Sequence, residues 1–159
     1  MKYYIIAGEA SGDLYGSRLI DEILSIDREA DIRFWGGDKM ILSGGFNVKH
    51  IKELAFMGFY EVLKNIFTIR KNINFCKKDI CDFDPDKIIY IDYPGFNLLI
   101  SKWAKKKGFK NYYYISPQIW AWKENRIKTI KENIDKLYVI FPFEREYYID
   151  RHNMKSEFY

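Results

Sequence analysis

Four apolar runs in this chain stop abruptly, and chemically capable side chains gather where they stop. Tyr3-Tyr4-Ile5-Ile6-Ala7 breaks at Gly8-Glu9-Ala10-Ser11-Gly12-Asp13, and Lys87-Ile88-Ile89-Tyr90-Ile91 breaks at Asp92-Tyr93-Pro94-Gly95-Phe96-Asn97. Tyr112-Tyr113-Tyr114-Ile115 ends in Ser116-Pro117-Gln118-Ile119-Trp120-Ala121-Trp122, and Lys136-Leu137-Tyr138-Val139-Ile140 ends in Phe141-Pro142-Phe143-Glu144. If the runs are parallel strands, all four breaks lie on the carboxyl edge of one sheet, where open α/β sheets bind ligands. A carboxylate there, Asp92 above all, can serve as a general base if apolar neighbours raise its pKa, or it can cap the next helix. Both readings stay open. Indole rings flanking Ala121 suit the apolar face of a sugar or an acyl chain, and core packing under a loop is the plainer alternative.

The first break is the most constrained. Gly8 is expected to take a positive φ, Ser11 to cap the following helix, and Asp13 to sit at the positive end of that helix. Gly12 and Gly16 predict close approach, either of helix to sheet or of a ligand to backbone. The spacing Gly-x3-Gly-x3-Gly matches neither the dinucleotide fingerprint nor the Walker A loop. Glu9 and Asp13 also place negative charge where a phosphate needs positive potential, which favours a hydroxyl-bearing ligand such as a sugar. A tight turn without any ligand is the alternative. A second acidic stretch, Asp82-Phe83-Asp84-Pro85-Asp86, invites a metal reading, but it enters its strand from the amino end, away from the other motifs.

Positioning these breaks requires alternating strands and helices. Leu14, Leu19, Ile20, Ile23 and Leu24 predict an amphipathic helix from about Ser11 to Arg28. Ile32-Arg33-Phe34-Trp35 reads as a second strand, Lys39-Met40-Ile41 as a helical turn closed by Gly44-Gly45, and Phe46-Asn47-Val48 as a short third strand. Val62, Leu63, Ile66, Phe67 and Ile73 mark a further helix, preceded by the uncharged stretch from Leu54 to Tyr60, which is either a buried helix start or an exposed apolar patch. Helices follow Asp92 and the indole pair, and Phe158-Tyr159 reads as the start of another strand. The alternation predicts an open parallel sheet with helices on both faces.

The 159 residues suffice for one domain with a substantial core, and 48% hydrophobic content excludes a disordered chain. Cys76 and Cys81 have no nearby histidine and suggest neither a zinc site nor a disulfide framework; a reducing cytoplasm is the expected setting. His50 and His152 show no ligand spacing and read as surface residues. The net charge of +4 permits anionic partners without requiring one. Lysine-rich helices around Lys102 to Lys107 and Lys123 to Lys131 read as solvated faces or as contacts to anionic membrane; no nucleic-acid module is present.

Taken in order, Gly8-Glu9-Ala10-Ser11-Gly12-Asp13 with Gly16, Met57-Gly58 with Glu61-Val62, Ile91-Asp92 with Pro94 and Phe96-Asn97, Ser116-Pro117 with Trp120-Ala121-Trp122, and Phe141-Pro142-Phe143-Glu144 resemble the lipid-A-disaccharide synthase family, inverting glycosyltransferases of GT-B architecture. The resemblance implies a Rossmann-like amino-terminal, acceptor-side domain over residues 1–159, with the donor-binding domain beyond it. It implies metal-free and cofactor-free transfer of diacylglucosamine from UDP to diacylglucosamine 1-phosphate at the cytoplasmic face of the inner membrane. On this resemblance Asp92 is the general base, and Glu9, Ser11, Gly12, Asp13, Met57, Glu61, Asn97, Ser116, Trp120, Trp122 and Glu144 are substrate-binding. Gly95 stands where relatives often carry a second aspartate, which leaves Asp92 the larger burden, with Glu9 or Asp13 as substitutes. Another GT-B transferase, or a flavodoxin-like binding domain without catalysis, are the competing expectations.

Overall fold

A computed structural model of the protein describes residues 1–54, 66–118, 124–154 and 157–158. The described strands are β1 (Lys2–Ala7), β2 (Asp31–Gly36), β3 (Phe46–His50), β4 (Lys87–Ile91), β5 (Asn111–Tyr114), β6 (Lys136–Val139) and β7 (Glu157–Phe158). They form a single parallel sheet in the order β3-β2-β1-β4-β5-β6-β7. Between them run α1 (Ala10–Ile26), α2 (Asp38–Ser43), α3 (Ile66–Phe83), α4 (Pro94–Lys106), α5 (Ile127–Asn133) and α6 (Pro142–Glu146). The Rossmann-like open sheet expected from the alternation is the fold found.

Parallel strands buried on both faces need two apolar layers, and period-2 alternation supplies them. Tyr4, Ile6, Trp35, Ile88, Tyr90 and Tyr113 face one layer, packed with Cys76 and Ile80 of α3 and Phe96 and Ile100 of α4. Ile5, Ala7, Phe34, Ile89 and Ile91 face the other, against Ile20 of α1 and Met40 of α2. Two glycines permit this second layer to close. A Cβ on Gly12 would lie 3.1 Å from the Ala7 Cβ, and one on Gly16 would lie 2.5 Å from the Met40 sulfur. Close packing thus calls for a glycine at both positions.

The chain runs outward from β1 to β3, then crosses back to β4 and runs outward the other way. The order of strands thus reverses between β1 and β4, and the carboxyl ends of those two strands open a crevice at that switch point. Ala7 pairs with Ile91, so the next residues, Gly8 and Asp92, leave the sheet side by side. The acidic stretch before β4 is at the opposite edge, where Asp86 accepts the Lys2 amide at 2.8 Å. No described helix is long and apolar enough to cross a membrane.

Candidate functional site at the switch point

The crevice is built by two loops, and the structure corrects several expectations about the first. Gly8 is not among the residues with positive φ. Its missing side chain serves a neighbour instead, since a Cβ there would lie 2.4 Å from the Tyr93 ring. Ser11 does not cap α1. Glu9 occupies the N-cap position with extended backbone and no side-chain cap bond, and Ser11 is exposed one residue inside the helix. Asp13, expected at the ligand rim, is buried. Its Oδ1 accepts the amides of Gly37 at 2.7 Å and Met40 at 3.1 Å, and its Oδ2 accepts that of Lys39 at 3.1 Å. The N-cap of α2 is a glycine with no side chain to offer, so a carboxylate from α1 takes the orphan amides.

The second loop follows β4 and is strained. Asp92 and Tyr93 have φ of 43° and 48°, two consecutive left-handed residues without a glycine. At the end of the adjacent β5, Ile115 has φ 66°, a genuine outlier for a β-branched side chain. Such residues cost about 1–3 kcal/mol each and persist where the surroundings over-determine them, which is typical of ligand sites. Asp92 is a type that tolerates the conformation, as are the other non-glycine residues of this kind among those described, Asp84 and Asn153, whereas Tyr93 and Ile115 are not. Strain on intolerant residues therefore gathers at the carboxyl ends of β4 and β5.

Asp92 is half-buried, and burial raises its carboxyl pKa above the ordinary value, opposed in part by the Tyr93 amide. Among the described residues it meets no cation. The Tyr93 ring lies over Gly8 and stacks on Phe96 with centroids 5.7 Å apart. Its phenol is pushed up to about 12, by burial first and then by the charge of Glu9, which places the exposed Glu9 carboxylate on the same rim. The arrangement joins a desolvated carboxylate with no counter-ion among the described residues, a second carboxylate and an aromatic ring. It can accept a proton from a hydroxyl group held in the crevice.

Three further expected ligand residues are supports. Asn97 is fully buried, and its Nδ2 donates to the Asp92 carbonyl at 2.7 Å, with longer bonds to Ile91 and Ile6. Glu144 is fully buried and its Oε2 accepts the Ile140 and Phe141 amides at 3.2 and 3.1 Å. Proline at the first helical position and glutamate at the third are the sequence signal for that helix start. Ser116, 3% exposed, meets Tyr148 Oη at 3.1 Å and Glu144 Oε1 at 3.5 Å, tying the loop after β5 to the loop after β6. His50 is also more than a surface residue: its Nδ1 accepts the Lys52 amide and its Nε2 meets Asp38. Met57, Glu61, Trp120 and Trp122 lie outside the described residues.

The matches to known proteins cover almost the whole chain. Residues 3–158 match the model of a family described as Lipid-A-disaccharide synthetase. This chain belongs to that family. The lipid-A-disaccharide synthase of Geobacter metallireducens is 44% identical over 144 residues, covering 91% of this chain and 38% of the relative. That of Coxiella burnetii (strain Dugway 5J108-111) is 41% identical over the same shares. Lipid-A-disaccharide synthase 1 of Legionella pneumophila (strain Lens) is 41% identical over 145 residues. The chain spans less than two fifths of the length of these relatives. Among solved structures, UDP-GlcNAc 2-epimerase from Neisseria meningitidis bound to UDP-GlcNAc superposes with a TM-score of 0.54 at 12% identity, over 87% of this chain and 40% of that one. At that identity the likeness shows the fold alone. A groove of about 460 Å³, lined by Leu19, Ile23, Ile89, Tyr112, Tyr114 and Tyr138 among others, lies on the sheet face beside α1 and offers no carboxylate.

Proposed function

We propose that this chain is the acceptor-side domain of a lipid-A-disaccharide synthase and that Asp92 is its general base. In the complete polypeptide, the Asp92 carboxylate takes the proton of the 6-hydroxyl of diacylglucosamine 1-phosphate as that oxygen attacks the anomeric carbon of UDP-diacylglucosamine. The new carbon–oxygen bond forms as the bond to UDP breaks, and a single displacement inverts the anomeric centre, giving a β-1,6 disaccharide and UDP. One base suffices, because no covalent sugar–enzyme intermediate forms. The observation that carries the reading is a half-buried carboxylate with a raised pKa on a strained loop at the sheet's switch point. Glu9 is placed to hold a sugar hydroxyl beside it, and the Tyr93 ring to lie against the sugar's apolar face. Donor contacts come from the remainder of the polypeptide.

Peripheral contact with an anionic membrane belongs to the same proposal. On α3, Phe67 is 83% and Phe75 45% exposed, with Arg70, Lys71 and Lys78 exposed around them. Such a face lies well at a lipid headgroup boundary. The complete polypeptide, given the two acylated substrates in mixed micelles, is expected to release UDP and form the disaccharide, and this chain alone to do neither. Absence of transfer by the complete polypeptide would overturn the activity, and transfer by this chain alone would overturn the division of labour.

A further inference from the structure

Holding Asp92 and Tyr93 in the left-handed region demands partners, and two side-chain donors converge on one atom. The Asp92 carbonyl accepts the Tyr113 hydroxyl at 2.6 Å and the Asn97 Nδ2 at 2.7 Å. They reach it from β5 and α4, two elements anchored in the same apolar layer. With its carbonyl drawn inward, Asp92 has its side chain left at the crevice, half-buried and joined only to the Tyr93 amide among the described residues. Tyr113 is fully buried, and its phenol is held well above its ordinary pKa, by burial first and then by the Asp92 charge, so it remains a donor throughout the working pH range. Asn97 is committed as well. Its amide donates to three carbonyls, while its Oδ1 accepts no bond among the described residues. That orphan oxygen is tolerated in the core because the amide group is needed where it is.

We propose that Tyr113 is a positioning residue of this site, its hydroxyl fixing the left-handed Asp92–Tyr93 turn from the neighbouring strand so that the Asp92 carboxylate faces the acceptor hydroxyl. Asn97 is the second latch. The inference rests on the reading of Asp92 as base. Tyr90 provides an internal control. It is a fully buried tyrosine on β4, its ring 5.8 Å from that of Tyr113, and its hydroxyl donates to Asn111 Oδ1 at 2.9 Å, away from the turn. Removing either hydroxyl deletes a hydrogen bond donated by a buried tyrosine, but only that of Tyr113 reaches Asp92.

In the complete polypeptide, Tyr113→Phe is expected to lower kcat roughly 10- to 100-fold, the scale of a small misplacement of a reacting group, with the acceptor KM within about twofold. Asn97→Ser, which withdraws the other donor, gives the same signature and keeps the test alive if one variant does not fold. Tyr90→Phe loses thermal stability but keeps kcat. In this 159-residue chain, carbon-13 NMR of the Asp92 carboxyl is expected to show its titration midpoint falling toward the ordinary aspartate value in Tyr113→Phe, as the loosened turn admits water, and holding in Tyr90→Phe. Equal loss of kcat in Tyr113→Phe and Tyr90→Phe, or an Asp92 midpoint indifferent to Tyr113→Phe, would overturn the proposal. The NMR measurement needs no turnover, so it decides the positioning role even if Asp92→Asn shows that another group is the base.

Discussion

Two neighbouring strand ends are each followed by an aspartate, one in the first turn of a helix and one in a loop, and the two carboxylates are held differently. Asp13, after β1, is 4% exposed and takes three backbone amides of the α2 start. Asp92, after β4, is half-buried with one amide and no described cation, and its pKa is raised. The residue type is the same, but Asp13 lies in the first turn of α1 and Asp92 directly follows β4. What separates them is the supply of donors: the lone pairs of Asp13 are satisfied by amides, whereas the Asp92 carboxylate is desolvated and short of donors, which raises its pKa. The strain follows the same division, since α1 starts from ordinary extended backbone at Glu9 and α4 starts from left-handed Tyr93.

The contrast can be broken most forcefully at Asp92. Asp92→Asn keeps shape and tolerates a left-handed φ, so in the complete polypeptide it should lower turnover by about 10²–10⁴-fold while the chain stays folded. Unchanged turnover would move the base to Glu9. Asp13→Ala should do the reverse, costing about 2–3 kcal/mol in urea unfolding by stranding the α2 amides, with turnover per folded molecule nearly kept. A fall in turnover without a fall in stability would erase the distinction between the loops. Gly8→Ala sits between them, because its Cβ must displace the Tyr93 ring. A cost of about 1–3 kcal/mol is expected, together with loss of turnover, as the ring and the Asp92 turn move together. A variant as stable and active as the parent would show that the ring adapts freely.

The smallest effect is on stability against pH. A carboxyl whose folded pKa is raised binds its proton more tightly in the folded state, so its ionisation lowers stability as pH rises from the unfolded value of about 3.9 through the raised folded one. Asp92→Asn removes that loss. Its melting temperature should exceed the parent's at pH 7, with the gap closing below the unfolded value. An Asn variant less stable than the parent at pH 7 would mean that the native carboxylate has a stabilising partner.

The sheet was legible because its signals are local. Alternating Ile and Tyr give strands, and glycines and prolines mark their ends, so the bounds of β4 agree with the sequence reading and those of β1 and β6 differ from it by one residue. Site geometry was less legible because it depends on residues distant in the chain. Asp13 finds its amides 24–27 positions on. Ser11 is a good capping residue, but the helix begins earlier and Glu9 takes that position. Tyr113 lies within Tyr112-Tyr113-Tyr114, and alternation says that its neighbours face the other way without saying which face meets the Asp92 turn. Tyr93 and Ile115 were missed for a related reason, since nothing in their types predicts a left-handed backbone. Pro94 marks the first turn of α4, but a residue before proline favours extended backbone, so left-handed Tyr93 runs against the local signal.

The central claim, that the crevice holds a carboxylate poised to accept a proton, is tested most directly by the NMR titration midpoint of the Asp92 carboxyl carbon in this chain. A midpoint above the ordinary aspartate value of about 3.9 is expected. A midpoint at or below that value would mean that Asp92 is solvated or paired, and the proposed base would have to be sought elsewhere on the rim.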